Sequence, residues 1–99
     1  MQVLMVQSKL KADTVSDVQA AVDKMLAALD AAQPEGLRYA SLLFPDGETL
    51  VALRQLDDGA KNPLEDLTEY KELLEFVQGA RAAPPVVQML TVTGSYRLF

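Results

Sequence analysis

The chain contains no cysteine, no histidine and no tryptophan. Without cysteine it has no disulfide, no thiolate nucleophile and no thiolate-held metal. Without histidine it lacks the commonest general base and the commonest metal ligand. A Ser-His-Asp triad, a zinc site of the usual kind and a haem held by a proximal histidine of this chain are all removed. No tightly bound haem, flavin or transition metal is therefore expected. Basic residues are also scarce: nine Lys and Arg stand against fourteen Asp and Glu, for a net charge of −5. Nucleic acid and anionic membrane surfaces attract basic proteins, so neither is an expected partner.

No apolar run approaches the roughly 20 residues of a membrane-spanning helix. Met1 to Leu10 holds an apolar stretch but neither a charged leading region nor a small-residue cleavage site, so it reads as a strand and not a signal peptide. A cytoplasmic location is the expectation. What is present is ordinary for a globular protein: 99 residues, 49% hydrophobic and 23% charged. Residues 1–99 are read as one domain. A chain this size buries roughly two-thirds of its unfolded surface, a modest core that association of two copies would supplement.

Gln2 to Lys11 reads as a first strand, apolar on both parities from Val3 to Val6. Thr14 to Gln33 reads as a helix, with Thr14 as N-cap and Asp17 three residues on as its capping-box partner. Val15, Val18, Val22, Met25, Leu26 and Leu29 give that helix one apolar face. Pro34 and Gly36 stop it. Leu37 to Phe44 and Glu48 to Leu56 are two strands joined by Pro45-Asp46-Gly47, a hairpin signal. A polar loop, Asp57 to Asn62, follows. Asn62-Pro63 then opens a second helix as N-cap and first residue, with Glu65 closing the box. It runs over 63–79 until Gly79, and Pro84-Pro85 block any continuation. Val86 to Thr93 is a last strand, and Gly94 to Phe99 a tail with an aromatic and basic end.

This β-α-β-β-α-β order is that of an α+β split β-α-β fold: a four-stranded antiparallel sheet with both helices on one face. Its strands carry apolar residues on both parities: Val3 and Met5 oppose Leu4 and Val6, and Val87 and Met89 oppose Val86 and Leu90. A sheet apolar on both faces needs covering on both. The chain has no third layer, so a second copy about a two-fold axis is the simplest cover. A homodimer is expected.

With this pattern the chain resembles the ferredoxin-like, dimeric α/β-barrel domains of the antibiotic-biosynthesis monooxygenase type. The resemblance covers nearly the whole chain. It is carried best by Pro34-Glu35-Gly36-Leu37-Arg38-Tyr39, by the hairpin to Leu53, and by Leu67 to Phe76. It implies cofactor-independent oxygenation of aromatic polyketides, or haem degradation. It also implies an amide on strand one, a Trp at the end of strand three and a His or Tyr on helix two. The amide falls on or beside Gln7 and the helix residue on Tyr70, while the Trp position holds Leu56. Tyr70 and Gln7 are thus the candidate catalytic residues, and the histidine-free sequence argues against the haem-degrading branch.

Three residues are candidates for substrate binding: Arg54, Arg38 and Tyr39. A type I turn with a glycine bulge places Phe44 opposite Glu48 and sets Arg38 beside Arg54, two guanidinium groups that an anion would join. A plain two-residue turn instead pairs Arg54 with Tyr39. The blander readings are a solvated arginine pair at the strand ends and a core tyrosine at Tyr70. Glu65, Glu69 and Glu72 share a helix face but read as solvated charges, not metal ligands. Two functions are expected of such a chain. One is a cofactor-independent monooxygenase-like protein acting on a small aromatic polyketide or quinol. The other is a non-catalytic dimeric module that binds a small molecule or is purely structural. An enclosed cavity with convergent polar groups would favour the first, and a pocket filled by Leu, Met and Phe the second.

Overall fold

A computed structural model describes residues 2–59 and 61–98. Strand β1 spans Gln2–Lys9, helix α1 Val15–Ala32, strand β2 Leu37–Leu43, strand β3 Thr49–Leu56, helix α2 Thr68–Ala80 and strand β4 Val86–Thr91. The strands form one sheet in the order β2-β3-β1-β4, with every neighbouring pair antiparallel. Both helices pack into one core with the same sheet face, where Val18, Val22 and Met25 of α1 meet Leu73 and Val77 of α2 and Leu50 of β3. The α+β fold and the one-sided helices expected from the pattern are what the structure shows.

Local chemistry moves several boundaries. Thr14 is the N-cap residue of α1, as expected, but its side chain makes no capping bond; its Oγ1 donates to the Lys11 carbonyl at 2.6 Å, within a 3₁₀ turn over Ala12–Thr14. The second helix does not start at Pro63. Asn62 Oδ1 accepts from the Leu64 N–H, but this caps a 3₁₀ turn, Pro63–Asp66, that ends at Leu67. Leu67 has ψ 116°, an extended value that breaks the helical run. The break lets Leu64 sink into the core at 0% exposure while Leu67 packs against it. Tyr70 and Lys71 then both donate their N–H to the Leu67 carbonyl and start α2 afresh.

The hairpin register differs from the bulged one expected. Phe44 pairs with Thr49, its N–H donating to the Thr49 carbonyl at 2.8 Å. Asp46 is the cause. Its carboxylate accepts from the N–H groups of Glu48 and Thr49 and from the Thr49 hydroxyl. Glu48 is thereby held in the loop, and the closing pair moves on by one residue. Gly47, at φ +73°, supplies the left-handed step that the loop requires. Tyr39 now lies opposite Arg54, and Arg38 opposite Gln55. A one-residue slip exchanges the faces of every side chain on a strand.

Alternation along the paired strands assigns the two faces. Leu4, Val6 and Ser8 share the helix side with Leu50, Ala52 and Arg54. The second face carries Met5, Leu53 and Leu90 among Gln7, Lys9, Arg38 and Gln55. It is more mixed than the sequence pattern suggested, because polar residues, Gln88 of β4 among them, alternate into it on all four strands. Strand β4 is exposed along its whole length. The tail is exposed too: Tyr96 is 81% accessible, with the Arg97 guanidinium 5.1 Å from its ring centre. Phe99, to which the expected tail extends, lies outside the described residues.

Candidate functional site

A cavity of about 70 Å³ opens between the helix side of the sheet and α2. Its floor is Leu4, Val6 and Ala52, and its opposite wall is Leu73, Leu74 and Val77. Ala52 contributes to the space by being small between Leu50 and Arg54. The site is mostly apolar with a few polar groups gathered at its ends, as small-molecule sites are.

At one end stand Tyr39, Arg54 and Tyr70. The hairpin register puts Arg54 directly between Tyr39 of β2 and Leu4 of β1. Tyr70 reaches the same place from the first turn of α2, which the break at Leu67 has positioned. Burial pushes the Tyr39 phenol up to about 12, and the nearby Tyr70 adds to this while Arg54 opposes it. The Tyr39 phenol is therefore neutral at physiological pH and keeps its proton for hydrogen bonding. Arg54 forms no ion pair among the described residues. Asp58 shares an adjoining hollow with it and does not come within ion-pair distance.

At the other end are Ser8 and Arg81. Arg81 follows α2, and its backbone bridges to Leu10 just past β1. Its Nε–H donates to Ser8 Oγ at 3.2 Å, which fixes the guanidinium against the strand. Among the described residues, no carboxylate lines this cavity.

The structure brings together three of the five candidate residues: Tyr70, Tyr39 and Arg54. The other two lie elsewhere. Gln7 pairs with Val51 and Val86 on the second face, away from Tyr70. Arg38 is also on that face, where its Nη1 donates to Gln55 Oε1 at 3.2 Å and lies 3.8 Å from Asp57. The expected Arg38–Arg54 neighbour pair does not form, because the four-residue loop held by Asp46 shifts the register. Of the acidic residues on α2, Glu72 pairs with Lys24 of α1 at 3.5 Å. No three acidic residues converge on a metal-sized site among the described residues. Leu56 borders the hollow beside Arg54. Sequence reasoning missed Ser8 and Arg81. Ser8 has the parity of Leu4 and Val6, a signal that was there to be read. Nothing local marks Arg81, whose place depends on how the chain leaves α2. Among the described residues, no helix is long and apolar enough to cross a membrane.

No protein-family model matches the chain. No curated protein matches it either. Solved structures do. Rv0793 from Mycobacterium tuberculosis matches at a TM-score of 0.71 with 19% identity, covering 95% of this chain and 96% of that one. An antibiotic biosynthesis monooxygenase matches at 0.72 with 13% identity, covering 95% and 100%. A point variant of SnoaB, a cofactor-independent oxygenase from Streptomyces nogalater, matches at 0.68 with 14% identity, covering 97% and 96%. At these identities the likeness is one of fold, and the resemblance read from the sequence holds at that level.

Proposed function

We propose that this chain, built on the fold of antibiotic biosynthesis monooxygenases, is a homodimeric, cofactor-independent oxygenase for a single-ring quinol. The observation that carries the reading is the convergence of Tyr39, Tyr70 and Arg54 at one end of an apolar cavity. The size of the ring follows from the volume. About 70 Å³ is well short of the ~150 Å³ of an engineered cavity that binds benzene. Even one ring must displace a side chain at the rim, and Leu74, 40% exposed, has room to move. A fused polyketide would not fit without remodelling the core.

The chemistry balances without a further reductant. Quinol and dioxygen give a hydroxyquinone and water: one oxygen atom enters a ring carbon, the other leaves as water, and all four electrons come from the substrate. Arg54 stabilises the quinol oxygen as it loses its proton, which makes the ring electron-rich enough to reduce dioxygen. Tyr70 donates to the oxygen that departs. Tyr39 orients the ring. Gln7 faces away from this cavity, and in a sheet-to-sheet dimer it meets the partner.

The test is oxygen uptake with a set of single-ring quinols. Hydroxyquinone should form in a one-to-one ratio with oxygen consumed, and Tyr70→Phe should lower kcat roughly a hundredfold, the scale of one positioned proton donor. Quinols that bind without any oxygen consumption would remove the oxygenase reading. They would leave the alternative, a dimeric module that only binds. Leu56 favours that alternative, because it stands where the resemblance puts a tryptophan.

A further inference from the structure

The cavity has a second polar end that the oxygenase chemistry does not use. Arg81 sits there with Ser8, and its Nε–H is already spent on Ser8 Oγ at 3.2 Å. That bond leaves the two terminal nitrogens of a held guanidinium, a fork suited to the two oxygens of a carboxylate. The surroundings point the same way. The protein has more acidic than basic residues, with a net charge of −5. Yet both arginines on this cavity lack an acidic partner among the described residues, and no Asp or Glu among them lines it. An arginine in a partly desolvated pocket without a counter-charge is poised for an anion from outside.

The spacing limits what that anion is attached to. Arg54 lies opposite Leu4, and Arg81 is bonded to Ser8. The two strand positions are four residues apart, about 13 Å at the rise of a β-strand. That separation of strand positions sets the scale of a single ring carrying oxygen-bearing groups at opposite positions. The wall between is Val6, Ala52, Leu73 and Val77, which suits a ring and not a polar linker.

We infer that the ligand of this cavity is a phenolic carboxylate, with its ring hydroxyl at Tyr39, Tyr70 and Arg54 and its carboxylate on Arg81. The inference rests on the same cavity as the proposed function and adds the acid to the quinol. Arg81 selects the substrate, and Ser8 is a positioning residue that holds Arg81.

Titration calorimetry with para-hydroxyphenylacetate, its methyl ester and para-cresol tests this. The acid should bind at least tenfold tighter than the ester or the cresol, the usual worth of a charge-assisted bond. Arg81→Gln should erase that preference while ester affinity stays within twofold of wild type. Should Arg81→Gln fail to fold, Ser8→Ala serves instead and should reduce the preference severalfold, with the ester unaffected. Equal binding of acid and ester, or a preference that survives Arg81→Gln, overturns the inference. The two proposals fail separately. Oxygen uptake with a neutral quinol but no acid preference sinks the carboxylate alone. Acid preference without uptake on any carboxylated quinol sinks the oxygenase alone.

Discussion

Replacing Leu90 with arginine is the sharpest test of the sheet-to-sheet homodimer proposed for this chain. Leu90 is paired with Val3 and so lies on the face away from the helices, at 39% exposure. Fully burying a leucine is worth about 1.5–3 kcal/mol, so covering the remaining two-fifths gives roughly 0.6–1.2 kcal/mol per copy. Two copies lose about 1.2–2.4 kcal/mol in Leu90→Ala, and the dimer dissociation constant rises roughly eight- to sixtyfold. Arginine adds a charge on each side of a two-fold contact, and taking an unpaired charge out of water costs several kcal/mol per ion. Leu90→Arg should therefore weaken the dimer by roughly ten-thousandfold or more and yield monomer at micromolar concentration. Met89 is the internal control. It points to the helix side and is 56% exposed, so Met89→Arg should change the constant less than about tenfold. Sedimentation velocity with circular dichroism reads both association and folding. A folded wild-type monomer of 10.8 kDa at micromolar concentration refutes the dimer. Equal dissociation by both arginines refutes the assignment of its face.

Leu64→Ala should destabilise the fold by about 3 kcal/mol and shift Tm by roughly 15 °C, because a fully buried side chain leaves a cavity; urea unfolding checks it, and a loss under about 1 kcal/mol would show that Leu64 does not anchor α2. Tyr39 should titrate near 12 against an ordinary 10.0. Its folded value is the raised one, so its contribution to stability is full below 10 and is lost as pH rises towards 12. Ultraviolet absorbance during alkaline titration should lose its highest-pH step in Tyr39→Phe. The Asp46 carboxylate is held well below the usual carboxylate range by the Glu48 N–H and by the hydroxyl and N–H of Thr49. Here the folded value is the depressed one, so the stabilisation is full above 3.8 and fades as pH falls below it. Asp46→Ala should lower Tm at neutral pH, and the gap to wild type should close in acid; a gap unchanged at low pH would mean that the carboxylate charge is not what orders the loop.

Much of the fold was legible because its signals are local and redundant. Six apolar residues at helical spacing from Val15 to Leu29 describe α1, and three of them, Val18, Val22 and Met25, prove fully buried. Pro45-Asp46-Gly47 marks a hairpin whichever turn it adopts. Less was legible where two local rules compete. Asn62-Pro63 satisfies every rule for a helix start, yet the gain from burying Leu64 favours a 3₁₀ turn and postpones α2 to Thr68. Thr14 offers an N-cap oxygen, but its hydroxyl is engaged as a donor to Lys11. Thr14 holds its N-cap position without making the capping bond, whereas Asn62 does make its cap bond, to the Leu64 N–H, but on a 3₁₀ turn and not on α2.

The site was legible to the extent that the hairpin register was. Arg54 has one position in the sequence and two sets of neighbours, depending on whether the loop holds three residues or four. With three, it meets Arg38 and the pair reads as an anion clamp. With four, it meets Tyr39 and faces α2, where Tyr70 already points. The choice is made by Asp46, which touches none of them. Its carboxylate collects two backbone N–H groups and a hydroxyl that would otherwise be free to re-pair. An exposed turn residue thus determines which side chains can act together in a cavity at some distance from it. Arg38, moved to the other face by the same step, is left with Gln55 and Asp57. The chemistry proposed for this chain depends on that loop length as directly as on the tyrosines themselves.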